Sequence, residues 1–215
     1  TDIVGQTDTA TLTPVVPPRP TATADTSTGN WDVNQTISPL TNDSPGDVSA
    51  PLVASTLKLC GISPLETAPN CTKTSLTVAG EGTYTVNVNG AVTFDPLLTF
   101  SGTATPVNYQ VSDSLGQVAN STITPTVGAA PVPVAVNDIS SGAWDTNQTI
   151  TPLSNDTANA KIPLVASTVK LCGLTPSVQT PPNCTQTSLT ISGQGTYTVN
   201  PDGTVTFDPV STLVT

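Results

Sequence analysis

A 113-residue internal repeat constrains this chain more than any other feature of its sequence. Trp31, Tyr84, Phe94 and Asp95 recur as Trp144, Tyr197, Phe207 and Asp208, each 113 positions later. The segment 75–96 returns as 188–209 with 16 of 22 positions identical, and WDVNQTISPLTND (31–43) returns as WDTNQTITPLSND (144–156). Self-similarity at this period means tandem copies of one domain-sized unit. The length changes between copies, one residue lost after Asp156 and one gained between the second pair of cysteines, suit loops, where they are tolerated. Residues 1–16 align with 112–127 through Gly5/Gly116, Gln6/Gln117 and Pro14/Pro125. The frame therefore reads as 1–16, the terminal strand of a preceding repeat; 17–128, a complete repeat; and 129–215, a second repeat without the counterpart of 101–127, its last two strands. On this reading the chain is a window onto a longer array.

Within a copy the signals are those of short strands. Tyr84 and Val86 alternate with threonines, Asn89-Gly90 turns the chain, and Val92 and Phe94 alternate again. Asn-Gly between alternating runs predicts a two-residue hairpin loop with both residues at positive φ; Asp202-Gly203 takes its place in the second copy. Val107, Tyr109 and Val111 form another period-2 face, leading through Leu115-Gly116 to a partner strand with Ile123. Seven or eight strands in about 110 residues, without helical periodicity, predict tandem immunoglobulin-like β-sandwiches, all-β and mostly antiparallel. Trp31 and Trp144 are the expected core anchors. The segments 15–25 and 128–138 are proline-rich and predict semi-rigid, extended linkers. Charge is low (9% of residues) and β-branched residues abound, unlike disordered chains, which are charge-rich and poor in such residues.

Several functions are disfavoured by the same composition. Five basic residues, Arg19, Lys58, Lys73, Lys161 and Lys170, against fifteen acidic ones give a net charge of −10, and no basic patch for nucleic acid. No apolar run reaches the roughly 18 residues of a membrane span, so no membrane insertion is expected. The chain has no histidine; a nucleophilic serine would need lysine or a carboxylate as base, and no such grouping recurs. No catalytic residue, cofactor or metal ligand is assigned. The recurring acids Asp32/Asp145, Asp43/Asp156 and Asp95/Asp208 suit turns, where Asx side chains bond their own backbone. Too few further carboxylates follow Asn42-Asp43 and Asn155-Asp156 to favour a calcium site.

The four cysteines come as one pair per copy, Cys60 and Cys71, Cys172 and Cys184. Repeat symmetry and short spacing favour Cys60–Cys71 and Cys172–Cys184 among the three possible pairings. Two thiolates without histidine do not complete a zinc shell, so disulfides and an oxidising, extracellular compartment are expected. Lys58 and Lys170, just before each first cysteine, read as edge lysines that discourage strand addition in preference to isopeptide crosslinks.

The motifs A-x-N-D (135–138), N-Q-T-I-x-P-L-x-N-D (34–43 and 147–156), G-x-Y-T-V (82–86), G-x-V-T-F-D-P (90–96), F-S-G-x-A-T-P-V-x-Y-x-V-x-D-S-x-G (100–116) and S-T-I-T-P-T-V (121–127) follow in an order that resembles the repeat of CshA-type fibrillar adhesins, and more loosely bacterial immunoglobulin-like surface repeats. The cysteine pairs depart from that pattern. The resemblance implies a structural module of a fibre on a bacterial cell surface or cell wall. Its partners would be neighbouring repeats, and other copies of the chain in a filament if the strand 1–16 is donated to an open sandwich. The alternative is an adhesive module that recognises host protein or glycan directly, which would call for aromatic-rich loops.

Overall fold

The computed structural model describes residues 1–174 and 178–212. The chain divides into two compact units, Thr1–Ala130 and Pro131–Thr215. Among the described residues all regular structure is strand, apart from three-residue 3-10 turns at Pro39–Thr41, Pro152–Ser154 and Ala166–Thr168.

The first unit holds nine strands: β1 (Asp25–Gly29), β2 (Gln35–Ile37), β3 (Leu52–Leu59), β4 (Ser75–Val78), β5 (Gly82–Val86), β6 (Val92–Pro96), β7 (Gly102–Thr103), β8 (Val107–Asp113) and β9 (Val118–Val127). One more than the upper expectation, the set includes the two-residue β7. They form two sheets, β2-β6-β5-β4 and β1-β9-β8-β3, with β7 also paired to β9. Every pairing is antiparallel except β1 with β9, which run parallel.

Alternation decides which side chains lie between the sheets. On β6 Val92 and Phe94 are buried while Asp95 is exposed; on β8 Val107, Tyr109 and Val111 are buried. Tyr84 and Phe94 face each other across β5 and β6, ring centroids 4.6 Å apart, and pack with Leu57, Leu59, Tyr109 and Ile123 of the opposite sheet in one core. The Phe94 ring also lies over Gly82, where an added Cβ would meet its Cε2 at 2.7 Å, so only glycine fits beneath it.

The Asn89-Gly90 hairpin forms, but not as the two-residue turn. Gly90 sits at φ +80°, and among the described residues Asp32 and Asp145 alone are non-glycine residues at positive φ. Asn89 therefore keeps a negative φ. Its Oδ1 instead accepts from the Ala91 N–H at 3.1 Å, while the Gly90 N–H donates to the Asn87 carbonyl at 3.0 Å. This is a longer loop on an ordinary turn closed by a left-handed glycine, a common alternative to the primed turns.

The tryptophans are also corrected. Trp31 is half-buried at the end of the sandwich, where its Nε1–H donates to the Leu98 carbonyl at 3.0 Å, and Trp144 is 68% exposed. Tyr84, Phe94 and Tyr109, each 0% exposed, anchor the core instead. An indole keeps its N–H satisfied most cheaply at a rim.

The second unit contains β10 (Gln148–Ile150), β11 (Ser188–Ile191), β12 (Gly195–Val199) and β13 (Val205–Pro209), one sheet ordered β10-β13-β12-β11. It repeats the registers of β2-β6-β5-β4, including Tyr197 opposite Phe207. The expectation was a copy without its last two strands; among the described residues the whole opposite sheet is absent. Residues 138–142 and 164–171, which match β1 and β3, form no strand. The reason is pairing: β1 bonds to β9 and β3 to β8. Among the described residues of the second unit no strand corresponds to β8 or β9, so neither segment has a ladder to join there. Tyr197, Leu189 and Ile191 are accordingly half-buried, where Tyr84, Leu76 and Val78 are buried.

Candidate functional site

Three arrangements recur in the chain and use side chains for more than core filling: a stapled loop, a latch on the lead-in segment, and a glutamine between terminal strands.

The loop joins β3 to β4. Cys60 and Cys71 form a disulfide that spans 11 residues with Cα atoms 4.2 Å apart; Cys172 and Cys184 form the second, spanning 12. Closing a loop this short is worth on the order of 3 kcal/mol in the chain-entropy account. Inside the first loop the Glu66 carboxylate accepts from the Gly61 and Thr72 N–H groups, each at 2.9 Å, and from the Thr72 hydroxyl at 2.6 Å, while Lys73 lies 3.4 Å away. The Thr72 hydroxyl, then those N–H groups and the Lys73 charge, bring its pKa down to about 2. Gln179 does the same in the second loop: its Oε1 accepts from the Gly173 and Thr185 N–H groups, and its Nε2–H donates to the Thr185 hydroxyl. Both clasps are missed by reading the loops residue by residue, because the extra residue shifts one against the other. The shared signal is an Oε acceptor, six positions after one cysteine and seven after the other.

The latch is the Asn-Asp pair. Asp43 Oδ1 accepts from the Thr23 N–H at 2.8 Å, Asn42 Nδ2 donates to the Ala24 carbonyl at 3.5 Å, and Thr21 bridges to Ser44. The proline-rich lead-in is thereby tied to its unit just before β1. The second unit repeats this: Asp156 Oδ1 accepts from the Val136 N–H at 2.7 Å, Asn155 Nδ2 donates to the Asn137 carbonyl, and Val134 bridges to Thr157. Asp43 and Asp156 thus hold a segment some twenty residues earlier, a longer reach than the local turn expected of them. In the first unit the Tyr109 hydroxyl also donates to the Asp43 carboxylate, 2.9 Å from each oxygen. Asp25 stands beside them, 7% exposed, its Oδ2 without a hydrogen-bond partner. Burial raises both carboxyl pKa values, and burial with the neighbouring carboxylates raises that of Tyr109.

The third arrangement explains the glutamine of N-Q-T-I. Gln35, 6% exposed, accepts from the Ser27 hydroxyl of β1 at 2.6 Å and donates to the Thr126 carbonyl of β9 at 3.0 Å. Gly29 leaves room for it, since a Cβ there would meet the Gln35 side chain at 2.7 Å. Gln148 repeats the first contact, accepting from the Ser140 hydroxyl at 2.7 Å, and no β9 counterpart stands among the described residues of its unit.

The other candidates are structural in placement. Asp32 and Asp145 occupy left-handed turn positions at φ 55° and 54°; Asp95 and Asp208 lie within β6 and β13, facing out. Lys58 is half-buried on β3, an edge strand, and Lys170 is exposed outside any strand. Among the described residues no three His, Cys, Asp or Glu side chains are grouped to hold a metal ion, and no helix is long and apolar enough to cross a membrane.

The family model described as the surface adhesin CshA repetitive domain matches residues 17–127 and again 130–214. No curated protein matches the chain.

Proposed function

The chain belongs to the surface adhesin CshA repetitive-domain family, a family of cell-surface or extracellular modules, and we propose that its copies are the structural stalk of a bacterial fibrillar adhesin, not the part that grips a target. The observation that carries this reading is the repetition of connecting hardware rather than of a pocket. Each copy ties its proline-rich lead-in to its own body through an Asn-Asp latch, and each staples and clasps the same loop. Such ties stiffen a linker by removing its freedom at one end. The stapled loops expose Ile62 and Leu65, or Leu174 and Val178, and their sequences hold none of the Trp, Tyr or Arg that dominate recognition surfaces. With no histidine and no recurring catalytic group in the sequence, the reading is also non-enzymatic.

Purified chain, added in excess to cells that display the whole adhesin, tests this reading. A stalk module leaves attachment to host surfaces unchanged; a direct binding module competes and reduces it.

Assembly by strand donation belongs to the same reading. Residues 1–16 are exposed throughout and match the sequence that ends in β9. They are the segment suited to add along an open sheet of another copy, a head-to-tail contact that extends without closing. Deleting residues 1–16 should abolish polymers seen by sedimentation while the first unit stays folded; polymers that persist would refute donation.

A further inference from the structure

A stalk transmits tension, and the way β1 and β9 are joined determines how one repeat meets it. Load enters the first unit through the lead-in, reaches β1 at Asp25, and leaves beyond Val127 at the end of β9. The two strands are parallel neighbours, in register from Asp25 opposite Ile123 to Gly29 opposite Val127. Tension drags β1 towards its own N-terminus and β9 towards its own C-terminus. In a parallel pair these pulls are opposed and lie along the strands, so the ladder is sheared. All of its slanted hydrogen bonds are then loaded together. Had β9 run antiparallel to β1, the same tension would peel the pair apart one bond at a time.

We propose that the β1–β9 pair is a mechanical clamp and that Gln35 is its pin. Gln35 lies on β2, outside the sheet that holds the clamp, yet its amide joins Ser27 of β1 to Thr126 of β9. It is buried, so water does not readily replace either bond, and a buried amide that loses its partners bears the full cost of its desolvation. Gly29 gives it space, and the Gly128 N–H extends the ladder by one more bond to the Gly29 carbonyl at 2.9 Å. β9 cannot yield in place of β1, because it is held on its other side by β8 along Val118–Ile123 and by β7 at Thr126 and Val127. The latch at Asp43 lies upstream, so it takes load before the clamp does. The disulfide lies between β3 and β4, off the path from β1 to β9; it limits how far the chain extends after the clamp fails. The physiological meaning of the clamp rests on the stalk reading, but its mechanics do not.

Single-molecule pulling on the full chain tests it. Handles at residues 17 and 129 load β1 and β9 in shear; handles at residues 17 and 116 reach β9 from its N-terminal end and peel the same pair. The unfolding force should be several-fold higher in shear than in peeling, at equal loading rate. Gln35→Ala should lower the shear force and leave the peeling force nearly unchanged. Equal forces in the two geometries would overturn the clamp, and a Gln35→Ala chain as strong in shear as the parent would overturn the pin. Should Gln35→Ala fail to fold, Gln35→Glu, which keeps the acceptor for Ser27 and loses the donor for Thr126, tests the pin by the same comparison. A failure here leaves the stalk reading standing, since the competition assay does not depend on mechanical strength.

Discussion

Tyr109 and the two carboxyl groups beside it make the first unit sensitive to single atoms. Its hydroxyl joins the Thr23 N–H in donating to the partly buried Asp43 carboxylate, and both bonds favour the ionised form against the burial that opposes it. Tyr109→Phe should therefore destabilise the first unit by about 2 kcal/mol in urea unfolding, the scale of a hydrogen bond to a charged group. Acid has a two-signed effect. Asp25 and Asp43 have carboxyl pKa values raised above the usual 3.8 by burial, so the folded state binds their protons more tightly than the unfolded one. Stability from this pair rises as pH falls from neutral towards that value, and is lost as pH rises through the raised pKa values. Glu66, lowered to about 2, and Asp47 and Asp202, also lowered, act oppositely: their contribution is present above the ordinary carboxyl range and disappears as pH falls through their folded values. The melting temperature should therefore rise as pH falls from neutral into the acid range and drop again in stronger acid, and Asp25→Asn should flatten the change on the neutral side. A profile that climbs steadily to pH 7 would contradict these burial effects. Little of this was legible in the sequence. Tyr109 reads as one member of a period-2 face, and nothing local shows that its hydroxyl will reach Asp43, 66 residues earlier.

At the scale of elements, the clasp inside each stapled loop gives a direct comparison between copies. Glu66 and Gln179 fill the same role with different chemistry, so the acceptor oxygen matters more than the charge. Glu66→Gln should preserve slow amide exchange at Gly61 and Thr72, whereas Glu66→Ala should make both exchange much faster with the disulfide intact. Equal exchange in the two variants would show that the disulfide alone orders the loop. The hairpins, the two cysteine pairings and the edge position of Lys58 could be read from local spacing and repeat symmetry. The parallel β1–β9 pair could not, because it joins segments about a hundred residues apart. Its only sequence trace is Gln35, an apparently ordinary polar residue whose partners lie on two other strands. The tryptophan expectation failed at this scale too. Trp31 recurs in the repeat as faithfully as Tyr84 does, but recurrence does not separate a rim contact from a core one.

At the scale of the whole molecule, the described residues show the same four-stranded sheet twice, with a second sheet closing over it in the first unit. β8 and β9 decide this. They bury the opposite face themselves, and they alone give β1 and β3 a ladder. No counterpart of 101–127 lies among the described residues, and the absence of strand at 138–142 and 164–171 fits a pairing of β1 with β9 and of β3 with β8 that a linear alignment does not display. The central claim, that this hairpin completes each repeat, is open to hydrogen exchange on the 215-residue chain and on a version with a second copy of 101–127 appended after residue 215. In the parent, backbone amides of β10–β13 should exchange far faster than those of β2 and β4–β6, since an uncovered sheet opens locally with little cost. In the extended chain they should slow to match, and new protection should appear at 138–142 and 164–171. Equal protection of the two sheets in the parent, or no gain on appending the block, would contradict the account.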